Sequence, residues 1–263
     1  MPITYRTPGG TVHGVFAAAI DAPHAFIAGC TGSGKSTYTH GLICAVLAAH
    51  SPATAQFALI DLKQVELRRY KALPHCCGYA DTAADALRLV EGVTAEMMRR
   101  FARMKTDDLT ETTDHHIYLI CDEVGYLLSQ AGKAVAKPLE EITMLGRAAH
   151  IHLIYACQNP RKSGPGAIPA GLLLNTPCRI ALRCVDKLES RLIIQTPGAE
   201  TLPPVGQALV RDGVTLERWR VPPPDPAEAA RLLRWWADPA RYIVRPAKEE
   251  EEHRPWYGRF FSR

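Results

Sequence analysis

Short apolar runs recur along the chain, and nearly every one stops at glycine or at polar residues. Residues 25–28 (Ala-Phe-Ile-Ala) lead into a glycine-rich segment, and 56–60 (Gln-Phe-Ala-Leu-Ile) into Asp61-Leu62-Lys63. Residues 117–121 (Ile-Tyr-Leu-Ile-Cys) lead into Asp122-Glu123, and 151–157 (Ile-His-Leu-Ile-Tyr-Ala-Cys) into Gln158-Asn159-Pro160. Runs this short and continuous predict strands buried on both faces, as in a parallel sheet. A further strand is expected over 179–183, and a hairpin over 206–210 and 215–220, with Asp212-Gly213 at its turn. Another hairpin is expected within residues 3–19, where two β-leaning runs flank Thr7-Pro8-Gly9-Gly10.

Between these runs the apolar period lengthens to three and four residues, which predicts helices. The clearest carries Ala83, Ala86, Val90, Val93, Met97, Phe101 and Met104 on one stripe, with Asp81 or Thr82 able to cap it. Residues 36 to 50 read as another. Pro138 fits the first turn of a third, with Glu140 and Glu141 near its positive end, Leu139, Ile142, Leu145 and Ala149 inward, and Arg147 near its C-terminus. Weak helix signals fall around 170–174. Strands alternating with helices imply an α/β fold, a mostly parallel central sheet flanked by helices. The expected main domain is 1–221; the proline-rich Pro222–Pro226 segment then opens an appendage, 222–263, with a short helix around Ala229, Leu232, Leu233 and Trp236 and a charged, aromatic tail.

The polar residues at the strand ends carry the chemistry. Gly29 to Ser36 matches G-x-x-x-x-G-K-[ST], placed between a strand and a helix. In that setting backbone N–H groups of Gly29, Thr31, Gly32, Ser33, Gly34, Lys35, Ser36 and Thr37 can surround the phosphates of ATP. Lys35 would reach the β- and γ-phosphates, and the Ser36 hydroxyl would ligate Mg²⁺. The plainer reading is a glycine-rich turn capping a helix. Asp122-Glu123 after a buried strand has the form of a Walker B element: Asp122 for the Mg²⁺ shell, Glu123 to orient and deprotonate water. Two acids at a helix start are the plainer alternative. Gln158, at the end of another strand, can sense the γ-phosphate or position water, where an isolated Gln would be a turn residue.

Composition changes this picture little. A chain of 263 residues with 47% hydrophobic content can fill an α/β core, and a net charge of +4 permits nucleic-acid binding without arguing for it. Arg88, Arg99, Arg100, Arg103 and Lys105 flank the long helix, as a solvated face or as a nucleic-acid-facing patch. Eight cysteines without a C-x-x-C pair read as small buried hydrophobes, and His75-Cys76-Cys77 and His115-His116 lack the second ligand pair of a metal site. No membrane span or signal-peptide pattern is seen, so the expected location is cytoplasmic.

Several motifs in order carry a more specific resemblance. HAFIAGCTGSGKST, ALIDLKQVEL, IYLICDE and GRAAHIHLIYACQNP resemble the motor domain of the FtsK/SpoIIIE family of double-stranded DNA translocases, and KLESRLIIQTPGAE resembles that family's block after the sensor strand. The similarity spans residues 10 to 220 or so. It implies a RecA-like P-loop NTPase acting as a homo-hexameric ring on double-stranded DNA, with ATP between subunits. Arg147 matches the position of an arginine finger in this family and in conjugative coupling ATPases, and Arg191 matches another family arginine. Two departures stand out: Asp61-Leu62-Lys63 replaces the usual Asp-Pro-Lys, and Gln158-Asn159-Pro160 the usual Gln-Arg-Pro. The loop 161–166 lies where the family lines its DNA channel, so Arg161 and Lys162 are candidate phosphate contacts. The resemblance implies a bare motor without membrane segments or winged-helix reader, of the kind carried by mobile elements, phages or plasmids, with the tail available to a recruiting protein. A protein-export ATPase of the type VII secretion kind, and a kinase or nucleotide-switch module, are the alternatives on the same fold.

Overall fold

The computed structural model describes residues 6–7, 10–11, 14–221 and 223–238. Two two-residue strands, β1 (Arg6–Thr7) and β2 (Gly10–Thr11), form the expected N-terminal hairpin. The helix α1 (Gly14–Asp21) then stands where the second β-leaning run was expected to continue. From there the elements run β3 (His24–Ala28), α2 (Lys35–Ala49), β4 (Ala55–Ile60), β5 (Cys76–Ala80), α3 (Ala83–Thr106), β6 (His116–Cys121) and α4 (Val124–Ala131). They continue with α5 (Lys133–Leu145), β7 (Ile151–Cys157), α6 (Ala170–Leu174), β8 (Cys178–Ala181), α7 (Lys187–Ile194), β9 (Gln207–Asp212), β10 (Thr215–Arg220) and α8 (Pro226–Ala237).

Eight strands form one sheet in the order β10-β9-β8-β3-β7-β6-β4-β5. Strands β8 through β5 are mutually parallel; β9 and β10 extend the sheet antiparallel at one edge. The continuous apolar runs follow from helices covering both faces. On β3, Phe26 and Ala28 join a core beneath α3, α4, α5 and α7, while Ala25 and Ile27 join the opposite core with α1, α2 and α8. Helix α8 closes that second core: Leu232 is buried, and Trp236 Nε1 donates to the Leu47 carbonyl at 2.8 Å.

Three local expectations change. Strand β5 was not anticipated, because Cys-Cys-Gly-Tyr-Ala has little β-branched content; it pairs only with β4 at the sheet edge. Helix α4 begins directly after Glu123 and α5 starts at Lys133, so Pro138 lies inside α5 rather than in its first turn. The inner stripe Val135, Leu139 and Ile142 is buried and compensates the missing backbone donor, whereas Leu145 points outward. On α3 the stripe and the Thr82 cap are as expected, with Asp85 N donating to Thr82 Oγ1 at 3.1 Å, but Arg100 is fully buried and belongs to no surface patch. The tail motifs, Glu249 to Glu252 and Trp256 to Arg263, lie outside the described residues.

Candidate active site

The parallel strands place their C-terminal ends along one edge, and Lys35, Asp122, Glu123 and Gln158 meet there. Strand β3 is separated from β6 only by β7, so the phosphate loop after β3, the acids after β6 and Gln158 after β7 are neighbours. Position 29 must be small: a Cβ there would stand 2.6 Å from Ser33 Oγ and 2.8 Å from Leu182 Cβ. Gly34 has φ of 94° and starts α2 with no side-chain cap, leaving the first helical N–H groups for a ligand. The Ser33 hydroxyl is buried without a protein partner, while Thr31 and Gly32 face solvent and Thr37 is half-buried.

Lys35 is almost completely buried. Its Nζ donates to Asp122 Oδ1 at 2.9 Å and to the Asp122 carbonyl at 3.0 Å, so the two candidate residues for phosphate and metal neutralise one another. Glu123 is held from both sides: Lys63 Nζ donates to Oε2 at 3.2 Å and the backbone N of Gln158 to Oε1 at 3.1 Å. Each oxygen keeps a further acceptor position for water. What Gln158 contributes to this contact is therefore its amide rather than its side chain. Below, Cys157 has its thiol pushed up to about 12 by burial and then by Glu123, which keeps it inert as a nucleophile. All eight cysteines are free thiols, six of them buried.

Two residues without an assigned role in the sequence reading belong here. The loop after β4 brings Lys63 to Glu123 and Glu66 to Ser36, whose Oγ donates to Glu66 Oε1 at 2.7 Å. Asp61, fully buried, shapes the loop by accepting from Leu67 N at its Oδ2 (2.8 Å) and from Gln64 N at its carbonyl (3.0 Å). The signal was present, since polar residues at the end of a buried strand point to the ligand edge of an α/β sheet.

The site fits a magnesium nucleotide. The donor set around Ser36 and Asp122 is hard oxygen, which suits Mg²⁺, and the loop offers a left-handed glycine turn, an orphaned hydroxyl and a buried lysine to phosphates. Among the described residues no group of three or more His, Cys, Asp or Glu side chains could hold a metal alone, so a metal here draws ligands from the nucleotide and water.

Arg147 is not with the others. It is exposed in the turn between α5 and β7, at the edge where the parallel strands begin, and the seven residues of β7 put about 20 Å between that edge and the phosphate loop. There it lines a cavity of about 540 Å³ with Asp21, Glu111, His116, His150 and His152. Burial, then neighbouring histidines, lowers His116 to about 4; burial likewise takes His152 to about 4, so both rings are neutral near pH 7. Arg191 is exposed on α7, and Arg161 and Lys162 are exposed on the loop after β7, on the phosphate-loop edge. The flank arginines of α3 are paired with acids: Arg88 with Asp85, Arg99 with Glu96, and Arg103 with Asp114.

The chain is similar to known proteins in sequence and in fold. Residues 6–125 match the FtsK/SpoIIIE family. The chain is 34% identical over 203 residues to the DNA translocase FtsK of Staphylococcus aureus, a stretch covering 69% of this chain and 25% of that protein. To its Tropheryma whipplei counterpart it is 33% identical over 216 residues, 74% of this chain and 28% of that one. The match thus spans about a quarter of the length of these relatives. Among solved structures, the cytoplasmic domain of the Thermomonospora curvata type VII secretion ATPase EccC superposes with a TM-score of 0.70 at 25% identity, covering 81% of this chain and 28% of that one. The pCW3 conjugation coupling protein TcpA, in its monomer form with ATPγS, has a TM-score of 0.71 at 20% identity over 88% of this chain and 69% of its own. No helix among the described residues is long and apolar enough to cross a membrane. With these motifs in one order on a RecA-like P-loop NTPase fold, the chain belongs to the FtsK/SpoIIIE family.

Proposed function

We propose that this chain is an ATPase that drives double-stranded DNA through a homo-hexameric ring, as a translocase or DNA-transfer motor. The observation that carries the reading is the division of the machinery: a complete phosphate and water-activating set at one edge of the sheet, and Arg147 at the other. A finger placed about 20 Å from its own phosphate loop can serve only a neighbour's. The similarity to DNA translocases supports DNA as the substrate class.

Chemically, a bound nucleotide with Mg²⁺ offers each half of the Lys35–Asp122 pair a better partner. Lys35 would turn to phosphate oxygens, and Asp122 and Ser36 are the residues that would hold the metal. When bound there, the metal would supply charge neutralisation to the phosphates. Glu123 accepts a proton from the attacking water while Lys63 and the Gln158 amide fix its carboxylate. Arg147 of the adjacent subunit would stabilise the charge that develops on the transferred phosphoryl group. Arg161 and Lys162 would grip phosphates, giving sequence-independent and salt-sensitive binding. The charged, aromatic tail of the 222–263 appendage is the proposed site for a recruiting protein.

Long duplex DNA should stimulate ATP hydrolysis at low salt. With two phosphate contacts from each engaged subunit, raising salt from about 50 to about 200 mM should weaken apparent DNA affinity by at least about tenfold. Absence of stimulation at low salt contradicts the motor reading, and stimulation by polypeptide instead would assign the chain to export.

A further inference from the structure

The Ser36 hydroxyl sits between two demands. The phosphate-loop pattern assigns its oxygen to Mg²⁺, and in the structure its hydrogen is donated to Glu66 Oε1 at 2.7 Å. These demands are compatible, and in fact linked. A hydroxyl that ligates a cation through a lone pair turns its hydrogen away from the metal, and a partly buried O–H then needs an acceptor. An acceptor fixed in place selects the rotamer whose lone pairs face the cation.

Glu66 is fixed in place. Its Oε2 lies 3.1 Å from His40 Nε2, and His40 Nδ1 lies 2.9 Å from the Tyr70 hydroxyl. His40 follows Ser36 by one helical turn on α2, so both face the loop that carries Glu66. Burial, then Arg69, lowers the pKa of His40, leaving a neutral ring that can donate from Nε2 to Glu66 and accept at Nδ1 from Tyr70. Tyr70 is buried at the end of the short 3-10 turn Arg68–Tyr70, and the loop before it is pinned by Asp61. The carboxylate thus arrives at Ser36 from a rigid loop on one side and a histidine on the other.

We propose that Glu66 is a positioning residue of the magnesium site: it takes the Ser36 hydrogen and so presents the Ser36 oxygen to the metal. This rests on the reading of Ser36 as a Mg²⁺ ligand. Glu66 touches neither nucleotide nor water in this role; it acts through Ser36, with His40 and Tyr70 holding it.

The test is the gain in affinity for a fluorescent ATP analogue when Mg²⁺ replaces EDTA, measured by titration on the full chain. Glu66→Ala should lose about tenfold or more of that gain, with its affinity in EDTA within about twofold of wild type. Glu66→Gln, which keeps an acceptor oxygen, should retain the gain within about threefold. In a Ser36→Ala background, Glu66→Ala should cost nothing further, because its effect runs through the hydroxyl. If Glu66→Ala does not fold, Glu66→Met removes the acceptor at similar size and repeats the comparison. An undiminished Mg²⁺ gain in Glu66→Ala, losses that add to those of Ser36→Ala, or equal weakening with and without Mg²⁺ would overturn the proposal. An undiminished gain in Ser36→Ala alone would instead overturn the assignment of Ser36 to the metal, a separate failure.

Discussion

Glu123→Gln is expected to bind nucleotide within about threefold of wild type and to lose turnover by about 10²- to 10⁴-fold, the usual contribution of a general base. The substitution changes little besides the proton acceptor. A glutamine oxygen can still accept from the Gln158 amide, the contact that orients the side chain across the end of β7. The pair with Lys63 weakens, but Lys63 is substantially exposed and its ammonium can be hydrated instead. Lys35, Ser36 and Asp122, which would hold the phosphates and metal, are untouched. Hydrolysis rate and nucleotide affinity measured on the same preparation separate the two roles. Normal turnover in this variant would mean that Glu123 does not activate water and that the Walker B assignment fails.

The second large effect is structural. Arg100→Ala should lower stability by about 3–5 kcal/mol, because it removes a buried guanidinium, leaves the buried Glu96 carboxylate to the partly exposed Arg99 alone, and takes the donor from two backbone carbonyls. Arg100 is fully buried; it donates to Glu96 Oε1 at 2.8 Å and, through Nη1, to the carbonyls of His115 (2.8 Å) and Ala149 (2.7 Å). Those carbonyls belong to the residue just before β6 and to the turn just before β7, so one side chain ties α3 to the turn that carries Arg147. For a domain of this size the loss corresponds to a fall in Tm of about 6–20 °C. Adding Glu96→Leu to Arg100→Ala should recover part of it by removing the buried carboxylate, which then has only Arg99 as its ionic partner. Thermal unfolding followed by circular dichroism reads both. A fall in Tm under about 2 °C for the single variant would show that the cluster is not a stabilising brace.

The same residue shows where sequence reading stops. Arg100 occupies a helix flank shared with Arg88, Arg99 and Arg103, and charge pattern alone treats all four alike. Only the packing of α3 over the N-terminal edge of the sheet separates the buried one from the rest. The phosphate loop, Asp122, Glu123 and Gln158 were legible because each follows an apolar run, and a parallel sheet lines up such run ends by construction. Lys63 and Glu66 were visible as polar residues after β4, but their partners lie 60 and 30 positions away, and β4 reaches the site only through the strand order. Strand β5 escaped because two cysteines and a glycine carry no strand preference; its place is set by pairing with β4. Pro138 misplaced the start of α5 because proline favours a first turn, whereas Val135, Leu139 and Ile142 bury enough surface to hold the helix around it.

A catalytic site shared between subunits should let two inactive variants restore one another when mixed. Lys35→Ala would remove the proposed phosphate-binding side of a subunit and Arg147→Ala its proposed finger; each alone should be inactive. In rings assembled at equal ratio, about a quarter of the interfaces should join an intact Lys35 to an intact neighbouring Arg147. The mixture should therefore recover DNA-stimulated ATP hydrolysis toward about a quarter of wild type. Failure to recover any activity at any ratio would contradict a site built from two copies of this chain.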